Sequence, residues 1–187
     1  LQRTLESTSD TVNEAWRETI ERLTLDILGR RFALMKENGG QGSLQAPESS
    51  WILSPSETQV LLLARPGTDE PLEAALERAS GALKTLAAFG ASKEELDAAV
   101  RARRDAVRSR RLAAVRISNA SVADDFADAV VYRLPMLDET QQDEMVSAFL
   151  AEVMADHVRA SASALLASRV KLGAVAGASE KTSKASL

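Results

Sequence analysis

Residues 71–96 read PLEAALERASGALKTLAAFGASKEEL and predict two consecutive helices with a sharp junction between them. Apolar residues at spacings of four and three share one face of the first helix: Leu72, Leu76, Ala79, Leu83 and Leu86. Pro71 suits the first turn of this helix, and Gly90 ends it. Ser92 and Glu95 have the spacing of a capping box, in which each side chain accepts a backbone N–H at the start of the next helix. The stretch therefore predicts a helix–junction–helix unit.

A long helix and a pair of strands are predicted before this unit. Residues 10–36 are expected to be helical because apolar side chains recur on one face: Trp16, Ile20, Leu23 and Ile27. Residues 49–53 and 58–64 are predicted strands, and the Ser-Pro-Ser turn between them indicates a hairpin with one buried face.

Further helices are predicted after the unit. The second helix should run to about residue 115, followed by three helices and a short strand at about 120–133, 136–146, 150–166 and 170–175. We expect an α/β (α+β) fold, with helices packed on one face of a small, mostly antiparallel sheet. One domain is predicted over residues 1–177, incomplete at its N-terminal end, with a polar disordered tail at 178–187.

The composition excludes several kinds of site and partner. No apolar run approaches the ~18 residues of a membrane helix, so no membrane partner is expected. The net charge of −4 gives no general affinity for nucleic acid. The chain has no cysteine, which excludes disulfides, thiol catalysis and cysteine-ligated zinc.

The catalytic motifs of hydrolases are missing from this sequence. His157 is the only histidine, so neither His-Glu-x-x-His nor His-x-x-Glu-His can be present. A zinc site built from His157 and two carboxylates is the weaker alternative, and a solvent-facing helix histidine is favoured. No Gly-x-Ser-x-Gly elbow occurs either. We therefore expect the chain alone to have no catalytic residue, no metal site and no cofactor.

One basic segment is the candidate contact site. Seven arginines lie between residues 101 and 116, and four of them share one helix face at 3-4-3 spacing: Arg101, Arg104, Arg108 and Arg111. A solvated or partner-facing surface is the favoured interpretation. RNA binding is less favoured, because no aromatic residue is interleaved and the chain is acidic. Lining of a cavity that attracts acidic substrate groups remains a further alternative.

Three segments resemble the inner part of a pitrilysin/insulinase-type zinc peptidase domain. They are LLLARPG at 61–67, PLEAALERASGALKTLAAFGASKEELDAAV at 71–100 and RISNASVADDFADAV at 116–130. The junction Phe89–Leu96 is similar to the family's link between two long helices, and ILGRRF at 27–32 resembles the end of an earlier helix. The resemblance covers about residues 10–175.

The resemblance implies a metallopeptidase-like repeat domain of a type that helps to enclose a peptide in a chamber. In such peptidases one domain binds zinc through His-x-x-Glu-His and a later glutamate, and no residue here matches those ligands. The chain is therefore expected to be a non-catalytic domain of the C-terminal half, with zinc in a catalytic domain of the same chain or of a partner subunit. Peptide substrates and a periplasmic location follow from the family alone. The alternative is a helical interaction module that docks an acidic partner through its Arg-rich helix.

Overall fold

The computed structural model describes residues 2–4, 11–37, 43–44, 48–51, 57–61, 64–65, 71–113, 123, 126–127, 130 and 139–168. Five helices account for most of these residues: α1 Thr11–Glu37, α2 Leu72–Phe89, α3 Lys93–Ala113, α4 Glu139–Glu152 and α5 Ala155–Ala167. The predicted helix at 10–36 and the predicted helix–junction–helix unit are confirmed. Their signals are local, since they consist of apolar periodicity and the turn and capping residues at the helix ends.

The strands are short and form two separate antiparallel sheets. Their bounds are β1 Gln2–Thr4, β2 Ser43–Leu44, β3 Glu48–Trp51, β4 Glu57–Leu61 and β5 Ala64–Arg65. The first sheet has the order β1-β4-β3, and β2 pairs with β5 in the second. In the β3–β4 pair, Glu48 lies opposite Leu61 and Trp51 lies opposite Thr58.

Helix α1 is the central element of the described structure and contacts each of the other four described helices. Leu23, Ile27 and Leu28 are completely excluded from solvent, so the helix is buried on more than the one predicted face. Thr24 is buried as well, and its hydroxyl donates to the Ile20 carbonyl at 2.8 Å. This bond satisfies the buried hydroxyl within the helix, which is why a polar residue is tolerated at the centre of the core.

Small side chains bring α2 and α5 together in a closely packed pair. Ala79 and Ala82 are buried on α2, and Val158 and Ala162 are buried on α5. Alanine lets helix backbones approach closely, so this pair gains dispersion contacts over much of its length. The larger side chains of Leu83, Leu86 and Leu165 are buried as well, in the same apolar core as Leu23 and Ile27 of α1.

The predicted α/β class is wrong, because the described core is made by helices packed on one another. Among the buried apolar side chains of the described residues, Val60 is the one contributed by a strand. The helices contain 13 to 27 residues, whereas each strand contains two to five. The apolar run at 58–64 was interpreted as a sheet layer that supports the helices. The long helices bury the larger apolar area themselves, so the fold is mainly α-helical.

The predicted helix at 150–166 is wrong at its start. Leu150 belongs to α4, which ends at Glu152, and α5 starts at Ala155 after a two-residue break. The predicted strand at 170–175 and tail at 178–187 lie outside the described residues, as does most of the predicted helix at 120–133. No helix in the described part of the chain has both the length and the hydropathy needed to cross a bilayer.

Candidate functional site

Three arginines of α3 form an exposed basic surface. Arg101, Arg104 and Arg108 are all exposed, and we call these three residues the basic surface. At 100° per residue, Arg101 and Arg108 lie within about 20° of each other around the helix, and Arg104 lies to one side of them. Arg111 is also part of α3, but its side chain is outside the described part of the structure.

The apolar side of α3 fixes the direction in which this surface faces. Ala99 and Val107 are buried, and Leu96 and Val100 pack partly buried against the core. The predicted apolar stripe through Leu96, Val100 and Val107 is therefore confirmed for the described part of the helix. Because this side packs against α1, the opposite side of α3 faces solvent.

Two neighbouring arginines have structural partners. The Arg103 Nε lies 3.8 Å from Asp26 Oδ2 of α1, and the Arg103 side chain is half-buried. The Arg104 Nη2 donates to the Leu150 carbonyl of α4 at 3.4 Å. Carbonyls in the last turn of a helix lack intrahelical partners, so a cation is favoured there. Arg103 is thus part of the packing, while Arg104 links α4 to the basic surface.

The two outermost arginines have no such compensation. Among the described residues, neither Arg101 nor Arg108 makes an ion pair or a side-chain hydrogen bond. Asp105 is exposed, and its position in the helix places it between them. Arg101 and Arg108 are therefore two exposed guanidinium groups without a bonded partner, and one exposed carboxylate lies near them on the helix.

The order of charges along α3 also stabilises the helix itself. Glu94 and Glu95 lie in its first turn, and the arginines follow toward its C-terminal end. The two carboxylates complement the positive N-terminal end of the helix macrodipole. The macrodipole acts within the first and last turns, so it does not account for Arg101 or Arg108, which lie inside the helix.

The junction between α2 and α3 holds the start of α3 in place. Gly90 has φ 75° and ψ −167°, and its N–H donates to the Leu86 carbonyl at 2.9 Å. This combination of angles is accessible to glycine and strained for other residues. The predicted capping box is confirmed, since the Glu95 N–H donates to Ser92 Oγ at 3.2 Å and the Ser92 N–H donates to Glu95 Oε2 at 2.8 Å.

Arg31 of α1 clamps this junction. Its Nε donates to Glu95 Oε1 at 2.7 Å, and its Nη2 donates to Glu95 Oε2 at 2.9 Å and to the Gly90 carbonyl at 3.1 Å. The hydrogen bonds from Arg31 hold the pKa of the Glu95 carboxyl below its usual value, against the opposing effect of burial. The sequence pointed to Arg31 only as part of ILGRRF, and its partner could not be identified because 64 residues separate the pair.

His157 has a structural role at the start of α5. Its Nδ1 accepts the Met154 backbone N–H at 3.1 Å, and its ring meets Trp16 edge-on at a centroid distance of 5.3 Å. Trp16 also contacts Phe149 at 5.1 Å. The half-buried ring therefore caps α5 and closes an aromatic cluster, and the prediction of a solvent-facing histidine is wrong. In the described ranges, no group of three or more His, Cys, Asp or Glu side chains could hold a metal ion.

Comparison with known proteins identifies the fold. No protein-family model and no curated protein sequence match the chain. A predicted insulinase-family protease from Yersinia pestis superposes over 89% of this chain with a TM-score of 0.71 and 15% identity. The periplasmic protease PqqL from Escherichia coli superposes over 89% of it with a TM-score of 0.70 and 12% identity. The chain spans 36% and 18% of the lengths of these two proteins. It therefore has the fold of a segment of insulinase-family proteases, which confirms the resemblance at the level of fold.

Proposed function

We propose that this chain is a non-catalytic segment of an insulinase-type zinc peptidase that helps to form the chamber holding the peptide. The observation that carries the proposal is the structural likeness to a predicted insulinase-family protease and to a periplasmic protease over 89% of the chain, with TM-scores of 0.71 and 0.70. The likeness at 12% and 15% identity concerns the fold alone, so the role is inferred from what the family resemblance of the sequence implies.

The residues of the chain support a role without direct chemistry. A catalytic zinc site needs three protein ligands and one open position. The sequence has one histidine, and its Nδ1 is engaged by the Met154 N–H. We therefore assign zinc to another domain, either in the same polypeptide or in a partner subunit.

The contribution of this chain would be enclosure and positioning. Zinc in the catalytic domain polarises the scissile carbonyl and activates water. A wall that excludes bulk water and limits the motion of the peptide lowers the entropy lost on reaching the reactive geometry. A rigid helical core centred on α1, with α3 clamped by Arg31 and Glu95, is suited to that task. A periplasmic location is part of the proposal, and the periplasmic protease PqqL supports it.

A cleavage assay with added catalytic subunit tests the proposal. Quenched-fluorescent peptides are incubated with this chain alone, with a zinc-binding insulinase-family subunit of the same organism, and with both together. We expect no hydrolysis by the chain alone, and more hydrolysis by the mixture than by the subunit alone. EDTA should abolish the activity of the mixture. The same subunit mixed with heat-denatured chain is the control.

Two outcomes contradict the proposal. EDTA-sensitive hydrolysis by the chain alone, together with one bound zinc per chain, would show that it contains its own catalytic site. Equal activity of the subunit with native and with denatured chain would show that the fold is shared without the role.

A further inference from the structure

We propose that the basic surface of α3 is a docking site for an acidic polypeptide segment. Arg101 and Arg108 would bind carboxylates directly, and Arg104 would contribute from the flank beside α4. This inference is independent of the peptidase role, since it depends on the charges and geometry of α3.

The charge of α3 is opposite to that of the chain. The helix contains seven Lys and Arg residues and four Asp and Glu residues, so it carries a net charge of +3. The whole chain carries −4. A local surface of opposite sign attracts an anionic partner to one place on the molecule and orients it there.

The basic surface also differs from three other cationic sites of the fold. Arg31 and Arg103 each lie against a carboxylate of another helix, and Lys93 pairs with Asp97 at 3.0 Å. Within the described residues Arg101 and Arg108 have no such partner, and Arg104 contacts a carbonyl that leaves its positive charge uncompensated. The free guanidinium groups are therefore available to carboxylates from outside.

The spacing suits carboxylates presented by a short peptide. Seven residues of helix separate Arg101 from Arg108, which corresponds to about 10 Å along the axis. An extended peptide covers that distance in about three residues, so an acidic segment can reach both arginines at once. The planar guanidinium can donate two parallel hydrogen bonds to each carboxylate.

Nucleic acid fits the same surface less well. Asp105 lies between the two arginines on the exposed side and would repel a continuous chain of phosphates. Helix α3 contains no aromatic residue on which a base could stack. The carboxylates of a peptide lie at the ends of flexible side chains that can turn away from Asp105, whereas the phosphates of a nucleic acid are part of its backbone.

The experiment measures fluorescence anisotropy of a labelled decaglutamate peptide with the 187-residue chain, at low and at high salt. Exposed ion pairs are individually weak, so we expect weak binding at low salt that is lost at high salt. The variant Arg101→Ala/Arg108→Ala should bind about fivefold or more weakly. The control variant Arg22→Ala/Lys84→Ala removes the same charge from exposed positions on α1 and α2, and its affinity should change less than about twofold. Circular dichroism verifies that both variants are folded.

Three results would overturn the proposal. The first is the absence of decaglutamate binding by the native chain at low salt. The second is an equal loss of affinity in both variants, which would make overall charge the cause. The third is tighter binding of a single-stranded oligonucleotide than of the peptide, lost in the Arg101→Ala/Arg108→Ala variant, which would assign the surface to nucleic acid.

Discussion

Two glycines in the same helical segment should respond to alanine in opposite directions. Gly90 ends α2 with φ 75° and ψ −167°, whereas Gly81 lies inside α2. A Cβ at Gly90 would lie 3.5 Å from the Ala155 carbonyl oxygen and 3.6 Å from the Arg159 Cβ, which are ordinary contacts. The cost of Gly90→Ala is therefore conformational rather than steric. Residues held in this region of backbone space cost about 1–3 kcal/mol, and we expect a destabilisation of that size.

Gly81→Ala is the matched variant, because it adds the same methyl group to the same helix. A Cβ at Gly81 meets nothing within 4 Å, so no contact opposes it. Alanine in a helix interior is favoured over glycine by roughly 0.5–1 kcal/mol, so this variant should be more stable than the native chain. The Thr85 hydroxyl bond to the Gly81 carbonyl, at 2.8 Å, uses the backbone and should persist.

Thermal and urea unfolding followed by circular dichroism measures both effects. For a chain of this size each kcal/mol corresponds to about 2–4 °C in Tm. Gly90→Ala should therefore lower Tm by roughly 2–12 °C, and Gly81→Ala should raise it by roughly 1–4 °C. A neutral Gly90→Ala would refute the reasoning, since it would show that the junction relaxes to angles that alanine accepts. A destabilising Gly81→Ala would show that this face of α2 is more crowded than the structure indicates.

Three further substitutions test the core, the clamp and the histidine. Leu23→Ala removes a side chain with 0% exposure and should lower the free energy of unfolding by about 2–5 kcal/mol. The control Leu34→Ala, at 54% exposure, should change that free energy by less than about 0.5 kcal/mol. Glu95→Gln should cost about 1–2 kcal/mol at neutral pH. The folded pKa of Glu95 lies below the ordinary 4.5, so its contribution to the free energy of unfolding is fully present above pH 4.5 and is lost as the pH falls through the lowered pKa. In urea titrations at several pH values, the stability of the variant should therefore fall less with acid than that of the native chain. His157→Ala should lower the free energy of unfolding by about 1–2 kcal/mol, because it removes the cap of α5. Zinc affinity measured by calorimetry should not change; a loss of zinc binding would show that the histidine is a ligand.

The helices that could be predicted are those whose signals are local. The bounds of α2 follow from Pro71, Gly90 and a run of apolar residues on one face, and the start of α3 follows from the capping box of Ser92 and Glu95. Each of these signals acts within about four residues. The exposure of the basic surface could also be predicted, because it lies opposite the apolar stripe of α3.

The predictions that were wrong concern features that depend on contacts distant in sequence or on unusual helix caps. The break before α5 was missed because its N-cap is Met154 and the capping partner is a histidine, whereas caps are usually Ser, Thr, Asp or Asn. The fold class was wrong because periodicity does not show how many sides of a helix are buried. Helix α1 was predicted to have one apolar face, whereas Leu23, Thr24, Ile27 and Leu28 are all buried.

The proposed docking site gains from the way in which α3 is held. Ala99 and Val107 pack on α1, Arg31 clamps the start of the helix, and Arg104 ties its flank to α4. A fixed backbone means that binding has to order the arginine side chains and the incoming peptide, and not the helix itself. Variants of the α2–α3 junction should therefore change stability, whereas variants of the basic surface should change peptide affinity. Gly90→Ala should lower stability while the fraction that remains folded still binds decaglutamate. Arg101→Ala/Arg108→Ala should weaken binding in a chain whose unfolding is unchanged.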